Sequence, residues 1–358
     1  MAVLAAGLGT RMRSAHPKVL HPLGGRPMLE RVLAAVTALA PVETVVVVGY
    51  GAEEIRAAIG EGVRYAVQRE QLGTGHALAV AVAALSDREG DLLVLYGDMP
   101  FLRAETLAAL VAHHRRTGAE ATLLVTRQGP ESRFGRIIRD AEGRFLRIVE
   151  YKDATPAERA IAEVNAGVYC FRLGALVANL PRLEPNNAQG EYYLTDLFPF
   201  IAAAGRVEAV ALGRPEEFYG PNDRAELAAA ERKLREEINT RHLLAGVSMP
   251  DPAAVYIEEG VIIGRDTVLY PGTVLAGRTE IGEGCSLGPA VEIRDSRLGS
   301  GVQVAHSVVI ESEIGPHQRV GPFIYLYRGV ASGGVVPAIT GPWRPTVVPV
   351  GEGPGGSD

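Results

Sequence analysis

The segment IGRDTVLYPGTVLAGRTEIGEGCSLGPAVEI, residues 263–293, decides the fold of the second part of the chain. Its larger aliphatic residues stand six positions apart and are often followed by glycine. A six-residue apolar repeat is typical of a parallel β-helix, in which each repeat forms one short face of a coil. The alternative, a set of ordinary strands and turns, does not require so regular a spacing. The repeat positions are Ile263, Leu269, Leu275, Ile281, Leu287 and Ile293, then, after a one-residue slip, Leu298 and Val304, and further on Ile314, Val320 and Leu326.

The first part of the chain, from residue 1 to about 225, has a different pattern. Apolar runs of strand length alternate with longer segments of helical period, which predicts an α/β fold with a mostly parallel sheet covered by helices. In such sheets, ligands bind beyond the carboxyl ends of the strands. A long helix at 222–244 would link this part to the repeats. The predicted strands are residues 44–49, 91–98 and 121–126, and the predicted helices are residues 27–39 and 75–85.

Composition narrows the class of protein. The chain has 358 residues, of which 47% are hydrophobic, enough for about two domains with sizeable cores. A net charge of −6 argues against nucleic acid as a bulk electrostatic partner. Cys170 and Cys285 form no paired motif, which favours a reducing compartment, and no apolar run is long enough for a membrane span. We therefore expect a cytoplasmic protein without membrane partners.

The stretch LAAGLGTRMRSAHPKVL, residues 4–20, follows the first predicted strand and carries two spaced cations. It lacks the third glycine of a dinucleotide fingerprint and the Gly-Lys-Ser/Thr of a Walker A loop. Main-chain N–H groups of a glycine loop can still approach phosphate oxygens closely. Arg11 offers a planar fork for phosphate, and Lys18 offers a compact point charge. The alternative is a tight turn with solvated cations.

A carboxylate ends the most apolar strand, in LLVLYGDMP (residues 92–100). Asp98 would lie at the carboxyl edge of the sheet, where it could bind Mg²⁺, an ion that shares its remaining positions with phosphates and water. The alternative is that Asp98 caps the following helix.

With these motifs in hand, the chain resembles the bacterial bifunctional N-acetylglucosamine-1-phosphate uridylyltransferases/glucosamine-1-phosphate acetyltransferases. The resemblance covers about residues 1–323. It implies a Rossmann-like nucleotidyltransferase domain followed by a short left-handed parallel β-helix. The motifs that carry it are, in order, LAAGLGTRM, HPKVLHPLGGRPML, EQLGTGHA, YGDMP, FGRI, IVEYKDAT, EVNAGVY, NNAQGEYYLTD and GPNDRAEL.

The resemblance also implies site residues. Arg11 and Lys18 would be catalytic, and Asp98 and Asn222 would bind Mg²⁺. Without the family, Gln68 and Glu150 would read as ordinary strand-end residues and Asn222 as a helix N-cap, and we expect His76 to lie in a helix interior. The nucleotide would be bound by Leu4, Ala6, Gly7, Gly9, Thr10, Gln68, Gly73 and Thr74, and the sugar by Tyr96, Gly135, Glu150, Asn165 and Tyr193.

The implied reaction is transfer of UMP from UTP to N-acetylglucosamine-1-phosphate, which gives UDP-N-acetylglucosamine, a cell-wall precursor, and pyrophosphate. No general base is expected, because the attacking sugar phosphate is already an anion. One alternative is a nucleotidylyltransferase for another sugar-1-phosphate. A second is a non-catalytic nucleotide-sugar-binding scaffold. Such a protein should lack some of the catalytic and metal-binding residues, but all four are present: Arg11, Lys18, Asp98 and Asn222.

The expected organisation is a uridylyltransferase domain (1–221), a linker helix (222–250), a truncated β-helix (251–327) and an irregular tail (328–358). Members of the family continue the β-helix and acetylate glucosamine-1-phosphate there. In this sequence Tyr325 stands where their pattern after Gly-Pro-Phe has arginine, and the later motifs are missing. We therefore expect a truncation or an altered reading frame near residue 324, no acetyltransferase activity, and a homotrimer formed through the remaining β-helix.

Overall fold

The computed structural model describes residues 1–331, with side chains described through residue 329. The chain divides into two compact units, and the boundary falls between Glu231 and Arg232. That boundary lies inside a long helix, close to where the sequence predicts the link between the two parts. Most of the expected irregular tail, residues 332–358, lies outside the described residues. No helix among residues 1–331 is long and apolar enough to cross a membrane.

The first unit is built on one nine-stranded sheet. The main strand order is β11-β7-β10-β6-β1-β4-β5, and the hairpin β8–β9 joins through β10. A separate small hairpin, β2–β3, lies in the loop after β1. The strands are β1 (Ala2–Leu4), β2 (Pro22–Leu23), β3 (Arg26–Pro27), β4 (Val45–Val48), β5 (Arg64–Val67), β6 (Asp91–Tyr96), β7 (Ala121–Arg127), β8 (Arg136–Arg139), β9 (Phe145–Val149), β10 (Glu163–Arg172) and β11 (Val207–Val210).

Helices flank this sheet. The four valines of β4 are all fully buried, as expected for a strand covered on both faces, and both predicted helices are confirmed to within two residues at each end. The helices are α1 (Met28–Thr37), α2 (Ala52–Ile59), α3 (Thr74–Ala84), α4 (Ala104–Thr117), α5 (Pro156–Arg159), α6 (Leu173–Asn179), α7 (Leu197–Ala204) and α8 (Arg224–Leu244).

The order of the strands changes direction at β1. The chain runs from β1 to β4 and β5 on one side and then returns to β6 on the other side of β1, with all these pairs parallel. Such a switch point leaves a crevice beyond the carboxyl ends of the central strands, where ligands bind in open α/β sheets. The glycine loop follows β1 and Asp98 follows β6, so both motifs lie at this edge.

Strand β10 is the exception to the parallel pattern, because it lies antiparallel between β6 and β7. Its pairing with β7 shifts register between Asn165 and Tyr169. Gly167 lies within this bulge at φ +79°, and a Cβ there would approach the Tyr96 ring to 3.0 Å. A bulge re-aims the side chains beside it. The motif EVNAGVY is therefore a bulged strand, which turns Asn165 toward the edge occupied by Tyr96.

The second unit contains a three-sided parallel β-helix. Each strand pairs in parallel with the strand that comes three strands later in the chain, one coil further on. This pairing gives three sheets of five, five and four strands. The strands are β12 (Tyr256–Ile257), β13 (Ile262–Ile263), β14 (Val268–Leu269), β15 (Thr273–Ala276), β16 (Glu280–Ile281), β17 (Ser286–Leu287), β18 (Val291–Arg294), β19 (Arg297–Leu298), β20 (Gln303–Val304), β21 (Val308–Ile310), β22 (Glu313–Ile314), β23 (Arg319–Val320), β24 (Tyr325–Tyr327) and β25 (Val330–Ala331).

The repeat positions are confirmed as the inward-facing residues of these coils. The positions from Ile263 through Val320 are all buried, whereas Leu326 in the last of them is only partly buried. The spacing missed Val309, which is fully buried in β21, because the coil there is shorter than the six-residue pattern assumes. The boundary placed at residue 327 is also too early. Residues Val330–Ala331 form β25 and pair in register with β22, so the strand ladder extends through Ala331.

Candidate active site

Four residues far apart in sequence meet at the carboxyl edge of the sheet. Lys18 Nζ donates to Asp98 Oδ2 at 2.5 Å and to Asn222 Oδ1 at 2.9 Å. Arg11 Nη2 donates to the same Asn222 oxygen at 2.9 Å. Lys18 is the more buried partner of this ion pair, because its side chain is 11% exposed whereas that of Asp98 is 30% exposed. Two cations and two oxygen ligands therefore share one small site.

The glycine loop reaches this site because Gly9 carries no side chain. Gly9 has φ +59°, and a Cβ there would lie 2.6 Å from the Cβ of Lys18. A side chain would meet both a strained backbone and a clash, so only glycine lets the loop close onto Lys18. The loop then leads into a short 3₁₀ turn, Thr10–Met12, that presents Arg11.

The loop borders an open cleft of about 500 Å³. Its lining includes Thr10, Arg11, Arg13 and Asp223, so it is polar and carries two guanidinium groups. A cleft with this lining suits an anionic ligand better than an apolar one.

Asn222 does not cap α8, which corrects the alternative interpretation of this residue. The cap is Asp223, whose Oδ1 accepts from Glu226 N at 2.8 Å. Asn222 stands one residue earlier, and Glu226 Oε2 accepts from both its main-chain N at 2.8 Å and its side-chain Nδ2 at 3.2 Å. Because Nδ2 is held by Glu226, the amide oxygen of Asn222 faces Lys18 and Arg11.

Asp98 is not a helix cap either, because the following helix α4 begins only at Ala104. The carboxylate of Asp98 and the amide oxygen of Asn222 both lie within hydrogen-bond distance of one ammonium group. Two oxygen ligands that converge on one cation fit Mg²⁺, which needs few protein ligands when phosphates and water complete its shell. Among residues 1–331 there is no cluster of three or more His, Cys, Asp or Glu side chains that could hold a metal ion. A cation here would therefore depend on substrate oxygens.

The predicted nucleotide residues lie at or beyond the ends of β1 and β5. A Cβ on Gly49, just after β4, would lie 2.8 Å from Ala6 O and 2.8 Å from Gln71 Nε2, so the glycine loop and the segment after Gln68 are neighbours. The side chains of Leu4 and Ala6 belong to the hydrophobic core, so these two predicted nucleotide residues would face a ligand with their main chain. Gly7 and Thr10 are exposed on the loop.

The Gln68 side chain is buried and bound, which corrects its interpretation as an exposed strand-end residue. Its Nε2 donates to Gly73 O at 3.1 Å and lies 3.0 Å from His76 Nδ1. His76 is also corrected: it lies in the first turn of α3 and is only partly buried, with its ring against Gln68. The hydroxyl of Thr74 accepts from Leu194 N at 3.0 Å, which ties this segment to the chain before α7.

The predicted sugar residues gather beside the bulge of β10. Asn165 Nδ2 donates to the hydroxyl of Tyr169 at 2.7 Å, and Asn165 Oδ1 accepts from Gly167 N at 3.1 Å. The hydroxyl of Tyr96 interacts with those of Tyr169 and Thr74, and burial raises the pKa of Tyr96 well above the usual tyrosine value. Tyr96 therefore stays protonated at neutral pH. Its hydroxyl therefore links Thr74, one of the predicted nucleotide residues, to Tyr169 beside the predicted sugar residues.

Glu150 lies on the same side, next to Gly135. A Cβ on Gly135 would lie 3.4 Å from either Glu150 carboxylate oxygen, and Thr195 Oγ1 donates to Glu150 Oε1 at 3.0 Å. Desolvation raises the pKa of Glu150 above the ordinary glutamate value. A desolvated carboxylate of this kind has capacity to accept further hydrogen bonds, as expected of a group that binds a polar ligand. Tyr193 is the outlier of the sugar set, because its hydroxyl bonds to Gln189 Nε2 at 2.9 Å and burial raises its pKa to about 12.

Replacing Glu150 with glutamine is expected to stabilise the protein at neutral pH. Desolvation raises the pKa of Glu150 in the folded state, so the folded protein binds this proton more tightly than the unfolded chain does. Wild type therefore loses stability as pH rises from the unfolded pKa, about 4.3, through the folded value. Glutamine keeps an acceptor for Thr195 and stays neutral. The unfolding temperature of Glu150→Gln should exceed that of wild type at pH 7.5, and the difference should vanish as pH falls below the unfolded pKa. The exposed Glu61→Gln is the control, and an unchanged or lower unfolding temperature at pH 7.5 would contradict the expectation.

Three residues of this site were missed from the sequence. Tyr169 is fully buried and bonds Asn165, Thr195 bonds Glu150, and Glu226 orients Asn222. All three lie inside family motifs, EVNAGVY, NNAQGEYYLTD and GPNDRAEL, so the motifs marked the segments but not these side chains.

Comparisons with known proteins agree with both parts of the fold. The MobA-like NTP transferase domain family matches residues 1–244, and the bacterial transferase hexapeptide family (six repeats) matches residues 260–295. Together with the strand pairing, these matches confirm the predicted fold class, a Rossmann-like nucleotidyltransferase domain followed by the parallel coils of a hexapeptide left-handed β-helix. The crystal structure of apo UDP-glucose pyrophosphorylase is similar, with a TM-score of 0.56 over 66% of this chain and 98% of that one. At 15% identity that likeness concerns the fold alone.

Curated relatives match most of the chain. The bifunctional protein GlmU of Geobacillus sp. (strain WCH70) is 47% identical over 325 residues, which cover 90% of this chain and 71% of that protein. The bifunctional protein GlmU of Brevibacillus brevis (strain 47) is 44% identical over 328 residues, which cover 91% of this chain and 71% of that protein.

Proposed function

This chain belongs to the family of bifunctional GlmU proteins, and from that premise we propose that it transfers UMP from UTP to N-acetylglucosamine-1-phosphate. The products are UDP-N-acetylglucosamine and pyrophosphate. The reaction class is that of a sugar-1-phosphate nucleotidyltransferase, in agreement with the family of its first 244 residues.

The observation that carries the proposal is the convergence of Arg11, Lys18, Asp98 and Asn222 at one point of the sheet edge. Two fixed cations beside a glycine loop can bind a triphosphate and stabilise the charge that develops on it. A scaffold that had lost the chemistry would not need to retain this arrangement. The set therefore favours an enzyme over a binding protein.

A divalent cation, which we propose is Mg²⁺, would be held by Asp98 Oδ2 and Asn222 Oδ1. When bound, such an ion neutralises phosphate charge and aligns the reacting groups. Within the protein, Glu226 orients the Asn222 amide so that oxygen rather than nitrogen is offered. Lys18, which bonds both ligands in the structure described here, would transfer its hydrogen bonds to substrate phosphate.

The protein's own part in the reaction is positioning and charge stabilisation. Arg11 and Lys18 bind the α- and β-phosphates of UTP, and the sugar phosphate oxygen attacks the α-phosphorus in line with the departing pyrophosphate. The attacking oxygen is already an anion, so the site needs no general base. Tyr96, Asn165 and Glu150 orient the sugar by hydrogen bonds.

The test is pyrophosphate release from UTP with Mg²⁺ and a panel of sugar phosphates. We expect release with N-acetylglucosamine-1-phosphate to exceed release with glucosamine-1-phosphate or glucose-1-phosphate by up to about 10⁴-fold, because a site with buried polar groups rejects an analogue that leaves them unpaired. Preference for another sugar would retain the mechanism and overturn the substrate. Absence of release with every sugar would overturn the proposed enzyme.

The remaining parts of the proposal concern the whole chain. We propose a uridylyltransferase domain at 1–221, a linker helix at 222–250 and a β-helix from 251, with hexapeptide repeats supporting a homotrimer. A cytoplasmic location suits the nucleotide substrate and the two buried, unpaired cysteines, Cys170 and Cys285. The absence of acetyltransferase activity stays a prediction.

A further inference from the structure

Gln68 stands just beyond the carboxyl end of β5 and, with Gly73 and Thr74, belongs to the residues that the family resemblance implies bind the nucleotide. Its Nε2 lies 3.1 Å from Gly73 O and 3.0 Å from His76 Nδ1. A main-chain carbonyl can only accept a hydrogen bond, so the amide nitrogen and not the amide oxygen has to face Gly73. This contact decides which end of the Gln68 amide points into the protein.

The His76 ring takes the second amide proton. Because the amide nitrogen faces it, Nδ1 must present its lone pair, and the proton of the neutral ring is then on Nε2. Glu70 O lies 3.1 Å from the same Nδ1 and would favour a proton there. That carbonyl already accepts a hydrogen bond from Leu72 N at 2.9 Å, however. If His76 Nδ1 keeps its lone pair, the Glu70 carbonyl therefore still has a donor, and the second amide proton of Gln68 has an acceptor.

With both amide protons engaged inside the protein, Gln68 can offer a ligand only its Oε1. In the part of the chain that the structure describes, no group donates a hydrogen bond to Oε1, and this oxygen is not completely buried. The Gln68 amide could both donate and accept if it were free to rotate. His76 and Gly73 together reduce it to an acceptor.

We propose that His76 is a specificity-determining residue that selects uracil over cytosine by fixing the Gln68 amide. An acceptor placed opposite ring atom N3 of a pyrimidine accepts from the N3–H of uracil. The same acceptor faces the N3 lone pair of cytosine, which is repelled. The inference rests on the proposed function, because it assumes that Gln68 faces the base. His76 acts through Gln68 and is a positioning residue.

The experiment compares kcat/KM for UTP, CTP and dTTP in wild type, His76→Leu and His76→Asn, with N-acetylglucosamine-1-phosphate as acceptor. Leucine removes the ring acceptor, and asparagine retains an acceptor oxygen near the place of Nδ1. We expect the UTP/CTP ratio to fall at least about tenfold in His76→Leu, because one of two bonds that fix the amide is lost, and to be largely restored in His76→Asn. Thymine carries the same N3–H as uracil, so the UTP/dTTP ratio should stay constant throughout.

The possible outcomes separate the two proposals. A wild type that does not prefer UTP to CTP overturns the nucleotide part of the proposed function. A selective wild type together with an equally selective His76→Leu overturns only the role of His76, as does an equal fall for all three nucleotides. If His76→Leu does not fold, His76→Ala decides the same question. Nitrogen chemical shifts of wild-type His76 give an independent check, because a protonated Nδ1 at neutral pH would also overturn the inference.

Discussion

Replacing Asp98 with asparagine is expected to lower kcat for uridylyl transfer about 10²–10³-fold, the usual effect of removing one electrostatic stabiliser. Asparagine keeps the size and one oxygen of the side chain but removes the negative charge that pairs with Lys18 and that would hold the divalent cation. Affinity for Mn²⁺, measured by its electron paramagnetic resonance signal with UTP present, should fall as well. The half-exposed position predicts little change in the unfolding temperature.

The matched control is Asp87→Asn, which makes the same chemical change in an exposed turn. The Asp87 carboxylate accepts hydrogen bonds from the main-chain N–H groups of Arg88 and Glu89, away from the candidate site, so this variant should retain wild-type kcat and Mn²⁺ affinity. Full activity in Asp98→Asn, with the control also active, would refute the assignment of Asp98 to the cation and the triphosphate.

The second large effect is expected at Arg136, in the FGRI motif. The side chain is fully buried, and within the part of the chain that the structure describes its guanidinium group donates hydrogen bonds to main-chain carbonyls alone. Burial lowers the pKa of this arginine. The acceptors are Arg159 O at 3.1 Å, Ser132 O at 2.7 Å, Pro130 O at 3.3 Å and Phe134 O.

Arg136→Leu should lower the free energy of unfolding by about 3–5 kcal/mol, because each buried carbonyl without a donor costs about 1–3 kcal/mol and leucine burial offsets part of the sum. Gly135, the preceding residue, accepts from Asn165 N at 2.8 Å, so loosening this loop should also raise KM for the sugar phosphate more than KM for UTP.

Urea unfolding of Arg136→Leu, Arg136→Lys and the exposed Arg88→Leu measures this effect. Lysine can serve some of the carbonyls and should lose less than leucine, and Arg88→Leu should stay within about 0.5 kcal/mol of wild type. An Arg136→Leu protein as stable as the control would show that the four carbonyls find other donors.

Much of the fold was predictable because periodicity is a local property of the sequence. The six-residue repeat specified the coils of the second unit, and the runs around Val45–Val48 and Asp91–Tyr96 specified buried strands of a parallel sheet. The antiparallel insertion of β10 was not predicted, because an apolar run does not reveal the direction of its neighbours. Val309 was missed for a related reason: a shorter coil breaks the spacing while the inward position is kept.

The candidate site was predicted as a set of residues, but its geometry was not. Motifs placed Asp98 and Asn222 in the site, whereas both had a helix cap as the competing interpretation. Only the helix starts at Ala104 and Arg224, with Asp223 as the cap of α8, remove that ambiguity. In a capping box, Glu226 would accept from the main-chain N–H of the N-cap residue, Asp223. No sequence pattern indicates that it bonds Asn222 instead.

By itself the sequence determined the class of each domain, the edge of the sheet where a ligand is expected, and the residue types available there. The tertiary structure decided which atoms face each other: the Asn222 oxygen toward Lys18, the Gln68 nitrogen toward Gly73 and His76, and Asn165 toward Tyr169. The physical reason is one of range. Helix and strand periods arise from neighbouring residues, whereas the orientation of an amide or carboxylate depends on donors and acceptors brought from distant segments by the strand order.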